Sequence, residues 1–301
     1  MSRRLIVVVG PTGSGKTDLS IRLARYYSAP IISTDSRQFY RGIPIGTAQP
    51  TKEQLQEAEH HFIATNELED CLNCGSYEQL ALKKLEELFV EHSTVVAVGG
   101  SGLYVKALCE GMDDLPEVDS ELRETLMKRL QEEGIESLVE ELKRVDPQYW
   151  EVVDRCNPQR VLRALEVSLQ TSRPYSEFRT GERRNRDFEI VKIGVDMERE
   201  VLYQRINLRV DMMIDEGLEE EARSVYHLRD LNSLQTVGYK EFFDYFDGKT
   251  SREEAIELIK RNSRRYAKRQ LTWFRRDQEI AWFHPLQFED ITEHINKSLS
   301  K

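Results

Sequence analysis

The sequence predicts an α/β protein, a parallel sheet flanked by helices and interrupted by a helical insertion. Three observations predict it. Short runs rich in Val and Ile at 5–9, 30–34, 94–98 and 188–195 alternate with amphipathic stretches. The first run leads straight into a glycine-rich turn, Gly10-Pro11-Thr12-Gly13-Ser14-Gly15-Lys16-Thr17, which opens a helix. Between 114 and 187 the strand signal vanishes and a charged helical pattern replaces it.

The elements follow in order. The apolar run 5–9 is too short for an export signal and passes directly into turn chemistry, so it reads as a buried strand. Residues 18–27 place Leu19, Leu23 and Tyr27 on one helical face, and 80–90 do the same with Leu82, Leu85 and Phe89. Strand, helix, strand in this order implies right-handed βαβ units and a parallel sheet. Gly134 and Pro147 break the insertion, and an arginine-rich polar tract at 179–186 predicts a flexible loop before the sheet resumes at 188–195. Leu202, Ile206, Val210 and Met213 mark a long helix, and the last third reads as helical to about Trp282. The expected domains are therefore 1–113 joined with 188–301, and the insertion 114–187.

Bulk properties narrow the class. With 39% hydrophobic and 32% charged residues, the chain has a soluble globular profile. No stretch approaches the roughly 18 apolar residues of a membrane helix, so a cytoplasmic protein without membrane contact is expected. Absent coiled-coil heptads, a monomer with no obligate protein partner is expected. Cys71 and Cys74 form a lone C-x-x-C, with Cys109 and Cys156 distant. His60 and His61 could complete a zinc set, but the spacing matches no common module, and free thiols are the plainer reading. The net charge of −10 argues against a nucleic-acid partner only on average: residues 260–276 carry eight Lys or Arg and no acid. Phosphate binding needs a local basic surface, not a basic total.

The turn at 10–17 matches G-x-x-x-x-G-K-[ST] in the context that gives the motif meaning, after a strand and before a helix. Its glycines let backbone N–H groups wrap a phosphate at a helix N-terminus, Lys16 adds charge, and the Thr17 hydroxyl can hold Mg²⁺. The motif specifies a diphosphate without saying which. Nucleotide hydrolases pair it with a strand-end Asp, yet the run 94–98 ends in Gly99-Gly100-Ser101-Gly102. The run 30–34 instead delivers Asp35-Ser36-Arg37-Gln38 at its carboxyl end, where open parallel sheets bind ligands. Asp35 is either a cap for the following segment or a base or metal partner beside the phosphate.

These segments, taken together, carry a resemblance. The runs at 10–17, 35–40 (DSRQFY), 45–48 (IGTA), 99–104 (GGSGLY), 157–166 (NPQRVLRALE), 205–211 (RINLRVD), 237–241 (VGYKE) and 268–275 (KRQLTWFR) resemble, in order, the signatures of the tRNA dimethylallyltransferase family. They span nearly the whole chain. The resemblance implies transfer of a dimethylallyl group from dimethylallyl diphosphate to the exocyclic amine of the adenosine just 3′ of the anticodon. Gly10, Pro11, Thr12, Gly13, Ser14, Gly15, Lys16 and Thr17 would hold the donor diphosphate with Mg²⁺, assisted by Arg223. Asp35 would be the general base, with Ser36, Arg37 and Gln38 holding the target nucleotide. Ser101 stands where the family usually has Thr and keeps the hydroxyl. Arg123 and Gln159, Arg160, Val161, Leu162 and Arg163 match positions that meet the tRNA anticodon stem-loop. The insertion would clasp that stem, with tRNA and donor entering a channel from opposite sides.

Two expectations rest on residue type alone. Tyr266, Trp273 and Phe274 read as core aromatics, and Arg261, Arg264, Arg265 and Lys268 as phosphate contacts on the other face. Three rivals remain: an adenylate prenyltransferase, which needs neither insertion nor basic tail; a small-molecule kinase; and a nucleotide-regulated RNA-binding protein without chemistry.

Overall fold

The computed structural model describes residues 3–117 and 119–298. Its sheet has six strands, β1 (Arg4–Val9), β2 (Ile31–Ser33), β3 (His60–His61), β4 (Thr94–Gly99), β5 (Glu189–Val195) and β6 (Ala281–Phe283). They lie in the order β3-β2-β4-β1-β5-β6, and every pairing is parallel. The edge strand β3 is two histidines with no apolar run, and the apolar run of β6 is only three residues long and follows directly on a long helical stretch, which is why the sequence pattern missed both. The last third is accordingly not all helix: the helix Arg252–Phe274 ends before β6, and a further helix, Phe288–Ser298, follows.

Strand β1 is central and buried on both faces, so its side chains divide by the twofold alternation of a strand. Leu5, Val7 and Val9 pack with Phe39, Tyr77 and Leu85, while Ile6 and Val8 pack with Leu19, Leu23 and Ile295. Each of these fully buried aliphatic side chains contributes about 1.5–3 kcal/mol. The register pairs Val9 with Gly99 and Ser33 with Val98. The carboxyl ends of β1, β2 and β4 therefore come out level, and their loops meet.

The chain folds into two compact units, one of Met1–Cys109 with Asn185–Lys301 and one of Glu110–Arg184, where the sequence pattern placed the boundaries at 114 and 187. The second unit is helical. Its core gathers Leu126, Leu138, Leu142, Tyr149, Val161, Leu162 and Leu165. Buried Asp146 accepts hydrogen bonds from the Tyr149 N–H, the Ser176 N–H and the Ser176 hydroxyl, tying a helix start to a distant turn. The tract 179–186 is less loose than its composition suggests. The Arg186 side chain, only 7% exposed, pairs with buried Glu78 at 2.8 Å and donates to the Leu108 and Ala107 carbonyls.

Candidate active site

The loop after β1 ends at Gly15, whose φ of 89° is left-handed and suits glycine, and the helix Lys16–Tyr27 starts there without a side-chain cap. Its first N–H groups are thus left for an anion, the arrangement that makes a helix start a phosphate site. Lys16 Nζ donates to the Pro11 carbonyl at 2.7 Å, folding the ammonium back under the loop. Burial pushes its pKa down to about 8; the charge of Asp35 pulls it up and that of Arg209 lowers it further. Arg209, from the helix Arg199–Asp215, donates to the Thr12 hydroxyl at 3.1 Å. Burial lowers its pKa too, against the pull of Asp35. Among the described residues neither Lys16 nor Arg209 has a carboxylate within ion-pair distance. Two unpaired cations under one loop are a cost that a bound polyanion removes.

Asp35 leaves the end of β2 in a turn held by its own neighbours. Its Oδ1 accepts from the Arg37 N–H at 3.0 Å and its N–H reaches the Ser33 hydroxyl. The Ser101 hydroxyl accepts from the Ser36 N–H and donates to the Ser36 hydroxyl, both at 3.0 Å, joining the β2 and β4 loops. Tyr266 hydrogen-bonds Ser101, and burial, reinforced by Asp35, pushes its phenol up to about 12. A cavity of about 150 Å³ is lined by Thr12, Lys16, Thr17, Asp35, Arg209 and Tyr266, with Ile206, Val210, Met213 and Leu218 supplying an apolar wall. Arg37, Thr236, Val237, Tyr266 and Gln270 also line a larger cavity of about 660 Å³ that includes Ser36, Ser101 and Trp273. Two cavities, one holding Lys16 and Arg209 and the other Ser36 and Ser101, share lining at Arg37, Thr236, Val237, Tyr266 and Gln270.

The structure brings together most of the expected core residues. Gly10–Thr17, Asp35, Ser36, Arg37, Gln38 and Ser101 gather at the carboxyl ends of β1, β2 and β4. Gln38 turns inward: its Oε1 accepts from Ser33 Oγ and its Nε2 donates to the Ala48 carbonyl at 2.8 Å. Arg223 is corrected. It is exposed, 3.4 Å from Glu219 and stacked on Phe246, and lines neither cavity. Leu218 and Ala222 set the inward face of its helix, Leu218–Ser224, and Arg223 points the other way. The arginine at the cradle is Arg209, which the sequence reading passed over although it lies one turn after Arg205 in the RINLRVD run. Gln270 was missed as well: its Oε1 accepts from the Thr12 N–H at 2.8 Å and its Nε2 donates to the Gly100 carbonyl at 2.9 Å. A Cβ at Gly100 would lie 2.1 Å from that Nε2, so the glycine run admits this tie where other proteins put an acid.

Of the aromatics read as core, only Phe274 is buried; Tyr266 lines both cavities and Trp273 lines the larger, 37% exposed. Arg265 lines the larger cavity, Arg261 and Lys268 are exposed, and Arg264 donates to Asn207 Oδ1. In the insertion, Val161 and Leu162 turn into the core, so their side chains are closed to any partner. Gln159 and Arg160 are exposed, and Arg123 and Arg163 both reach Glu166, at 3.1 and 3.4 Å. The four cysteines are free. No helix among the described residues is long and apolar enough to cross a membrane.

Residues 38–277 match the family model described as IPP transferase. The chain is 50% identical over 298 residues to tRNA dimethylallyltransferase 1 of Bacteroides fragilis, covering 99% of both chains. It is also 50% identical to the tRNA dimethylallyltransferase of Christiangramia forsetii, over 98% of this chain and 97% of that one. Among solved structures it resembles the full-length tRNA isopentenylpyrophosphate transferase of Bacillus halodurans, with TM-score 0.72 and 38% identity over 99% of this chain and 96% of that one. A eukaryotic dimethylallyltransferase acting on tRNA superimposes with TM-score 0.82 at 25% identity, over 96% of this chain and 75% of that one.

Proposed function

The chain belongs to the IPP transferase family, and from that premise we propose that it transfers a dimethylallyl group from dimethylallyl diphosphate to the exocyclic amine of the adenosine immediately 3′ of the anticodon in tRNA, releasing diphosphate. It is a tRNA dimethylallyltransferase. One observation carries the chemistry: Lys16 and Arg209, cations under the phosphate loop, line the same cavity as Asp35.

The donor's diphosphate takes the cradle, where the N–H groups of the loop, Lys16 and Arg209 meet its charge. As the allylic carbon–oxygen bond breaks, that charge grows, and preorganised donors stabilise it most at that moment. An adenine amine is a weak nucleophile because its lone pair is drawn into the ring. Asp35 accepts the amine proton as the nitrogen–carbon bond forms, a contribution of roughly 10²–10⁴-fold. The shared wall between the two cavities supports nucleotide entry from the side of Ser36 and Ser101, with Ser101, Ser36 and Arg37 orienting the base. Unstacking it from a single-stranded loop costs only a few kcal/mol.

The residues also fit a magnesium ion. Thr17 lines the cavity beside Lys16, and among the described residues no protein group hydrogen-bonds its hydroxyl. A hydroxyl plus diphosphate oxygens and waters is a donor set that suits Mg²⁺. Thr17 would hold the ion, which when bound neutralises charge on the departing diphosphate. The exposed arginines of the insertion, with Gln159, are proposed to meet the anticodon stem through its phosphates. Equal protease sensitivity at 179–186 with and without tRNA would count against a clasping movement of the insertion.

Incubation with dimethylallyl diphosphate and unmodified tRNA should add one five-carbon unit at one adenosine, read by mass spectrometry of nuclease digests. Prenylation of free AMP in preference to tRNA would indicate the adenylate enzyme instead, and phosphate release from ATP a kinase.

A further inference from the structure

One wall of the donor cavity is formed by Gly46, Thr47 and Ala48, and the segment 45–48 is held by a single carboxylate that does not line the cavity. Glu221 accepts from the Ile45 N–H at 2.9 Å, from the Gly46 N–H at 2.8 Å and from the Tyr239 hydroxyl at 2.5 Å. Gly46, Thr47 and Ala48 line the cavity that contains Lys16 and Arg209. Glu221 is absent from both cavity linings. Its carboxylate faces the back of the loop.

The segment needs such a hold. Ala48 has φ of 49°, a left-handed conformation that is costly for a non-glycine residue and persists only where surrounding contacts over-determine it. From the side of Asp35's turn, Gln38 Nε2 donates to the Ala48 carbonyl and Gln49 Nε2 to the Gln38 and Tyr40 carbonyls. Glu221 holds the other end, so the loop is strung between the catalytic turn and the helix Leu218–Ser224. The fit is close: a Cβ at Gly46 would lie 2.5 Å from the Tyr239 hydroxyl. Tyr239 is itself fully buried, and its hydroxyl also reaches the Ile43 carbonyl. The ring fixes the carboxylate, and the carboxylate fixes the loop.

We propose that Glu221, backed by Tyr239, is a positioning residue for the transfer reaction, which holds the 45–48 loop as a fixed wall of the donor cavity without touching either substrate. This rests on reading that cavity as the site of dimethylallyl diphosphate. Hydrogen bonds to a charged acceptor are about twice as strong as neutral ones. In Glu221→Gln one amide N–H₂ must confront a backbone N–H, so the loop loses at least one bond and gains a donor facing a donor, while the bonds that remain go to a neutral acceptor.

Two readouts test it. Hydrogen exchange should show the Ile45 and Gly46 amides exchanging at least roughly tenfold faster in Glu221→Gln than in the wild type, with the amides of β1 unchanged. Steady-state kinetics should show KM for dimethylallyl diphosphate rising by roughly tenfold while KM for tRNA stays within about twofold. Tyr239→Phe keeps the ring packing and removes one donor; it should move both readouts the same way by about threefold. It also keeps the test alive if Glu221→Gln fails to fold. Unchanged exchange at 45 and 46 overturns the proposal, as does an equal rise in both KM values with a fall in melting temperature, the mark of a merely structural residue. A wild type that transfers no prenyl group refutes the functional reading, and the brace is then judged on exchange alone.

Discussion

The cations of the core unit and those of the insertion are balanced in opposite ways. Lys16 and Arg209 face a cavity with no carboxylate at ion-pair distance among the described residues, and they are offset only from farther away, both by Asp35 and Arg209 also by Glu216. Arg123 and Arg163 share Glu166, a carboxylate 1% exposed. Two half-buried cations without an ion-pair partner carry a cost that an arriving anion would remove, which favours binding one. A paired, half-exposed arginine is oriented in advance and offers an edge to a phosphate at little cost. The first arrangement suits a leaving group and the second suits docking.

The sharpest way to break this contrast is at Asp35. Asp35→Asn should lower kcat by roughly 10²–10⁴ with tRNA affinity nearly unchanged, measured by single-turnover transfer and filter binding. Full activity would remove the base. Lys16→Ala should cost on the order of 3 kcal/mol in kcat/KM for the donor. Its pH dependence carries a sign: the anion needs the protonated amine, and the free protein loses that proton through a pKa of about 8. Affinity for inorganic pyrophosphate, read by calorimetry, should therefore fall above that pH by up to about tenfold per unit, and Lys16→Arg should flatten the profile. Because the folded value lies below the ordinary lysine value of 10.5, the same group adds stability as pH rises from about 8 toward 10.5.

Arg209→Ala should raise KM for dimethylallyl diphosphate by roughly 10–100-fold, the worth of a lost charged hydrogen bond, whereas Arg223→Ala should stay within about twofold. Equal effects would erase the distinction between the two arginines. In the insertion, Glu166→Gln should cost about 1–3 kcal/mol in urea unfolding, less than a fully buried pair because Arg123 is half-exposed. It should weaken tRNA binding only a few-fold while donor KM holds.

How far the sequence reached differs between these regions for a physical reason. The placement of the glycine–lysine turn and Asp35 at neighbouring strand ends was legible because it is local: a strand, a few consecutive residues and a helix start position them. Arg223 was misassigned and Arg209 overlooked because both lie on helices, where the choice of inward face depends on what packs against it. The arginine tract at 179–186 read as a loose loop, yet the Arg186 side chain pairs with buried Glu78, more than a hundred positions earlier. Val161 and Leu162 shared a run with exposed Gln159 and Arg160 and went to the opposite side of one helix.

The order of short apolar runs and the glycine–lysine turn by themselves determined a parallel sheet with an uncapped helix start at the carboxyl end of its first strand, because strand alternation and helix-terminal N–H groups are properties of neighbouring residues. Only the tertiary structure decided what surrounds that cradle: Gln270 bridging Thr12 to Gly100, Arg209 beside Lys16, and Glu221 behind the 45–48 loop. Each of these contacts joins residues far apart along the chain. Chain separation hides such partners from any local pattern, and packing alone selects them.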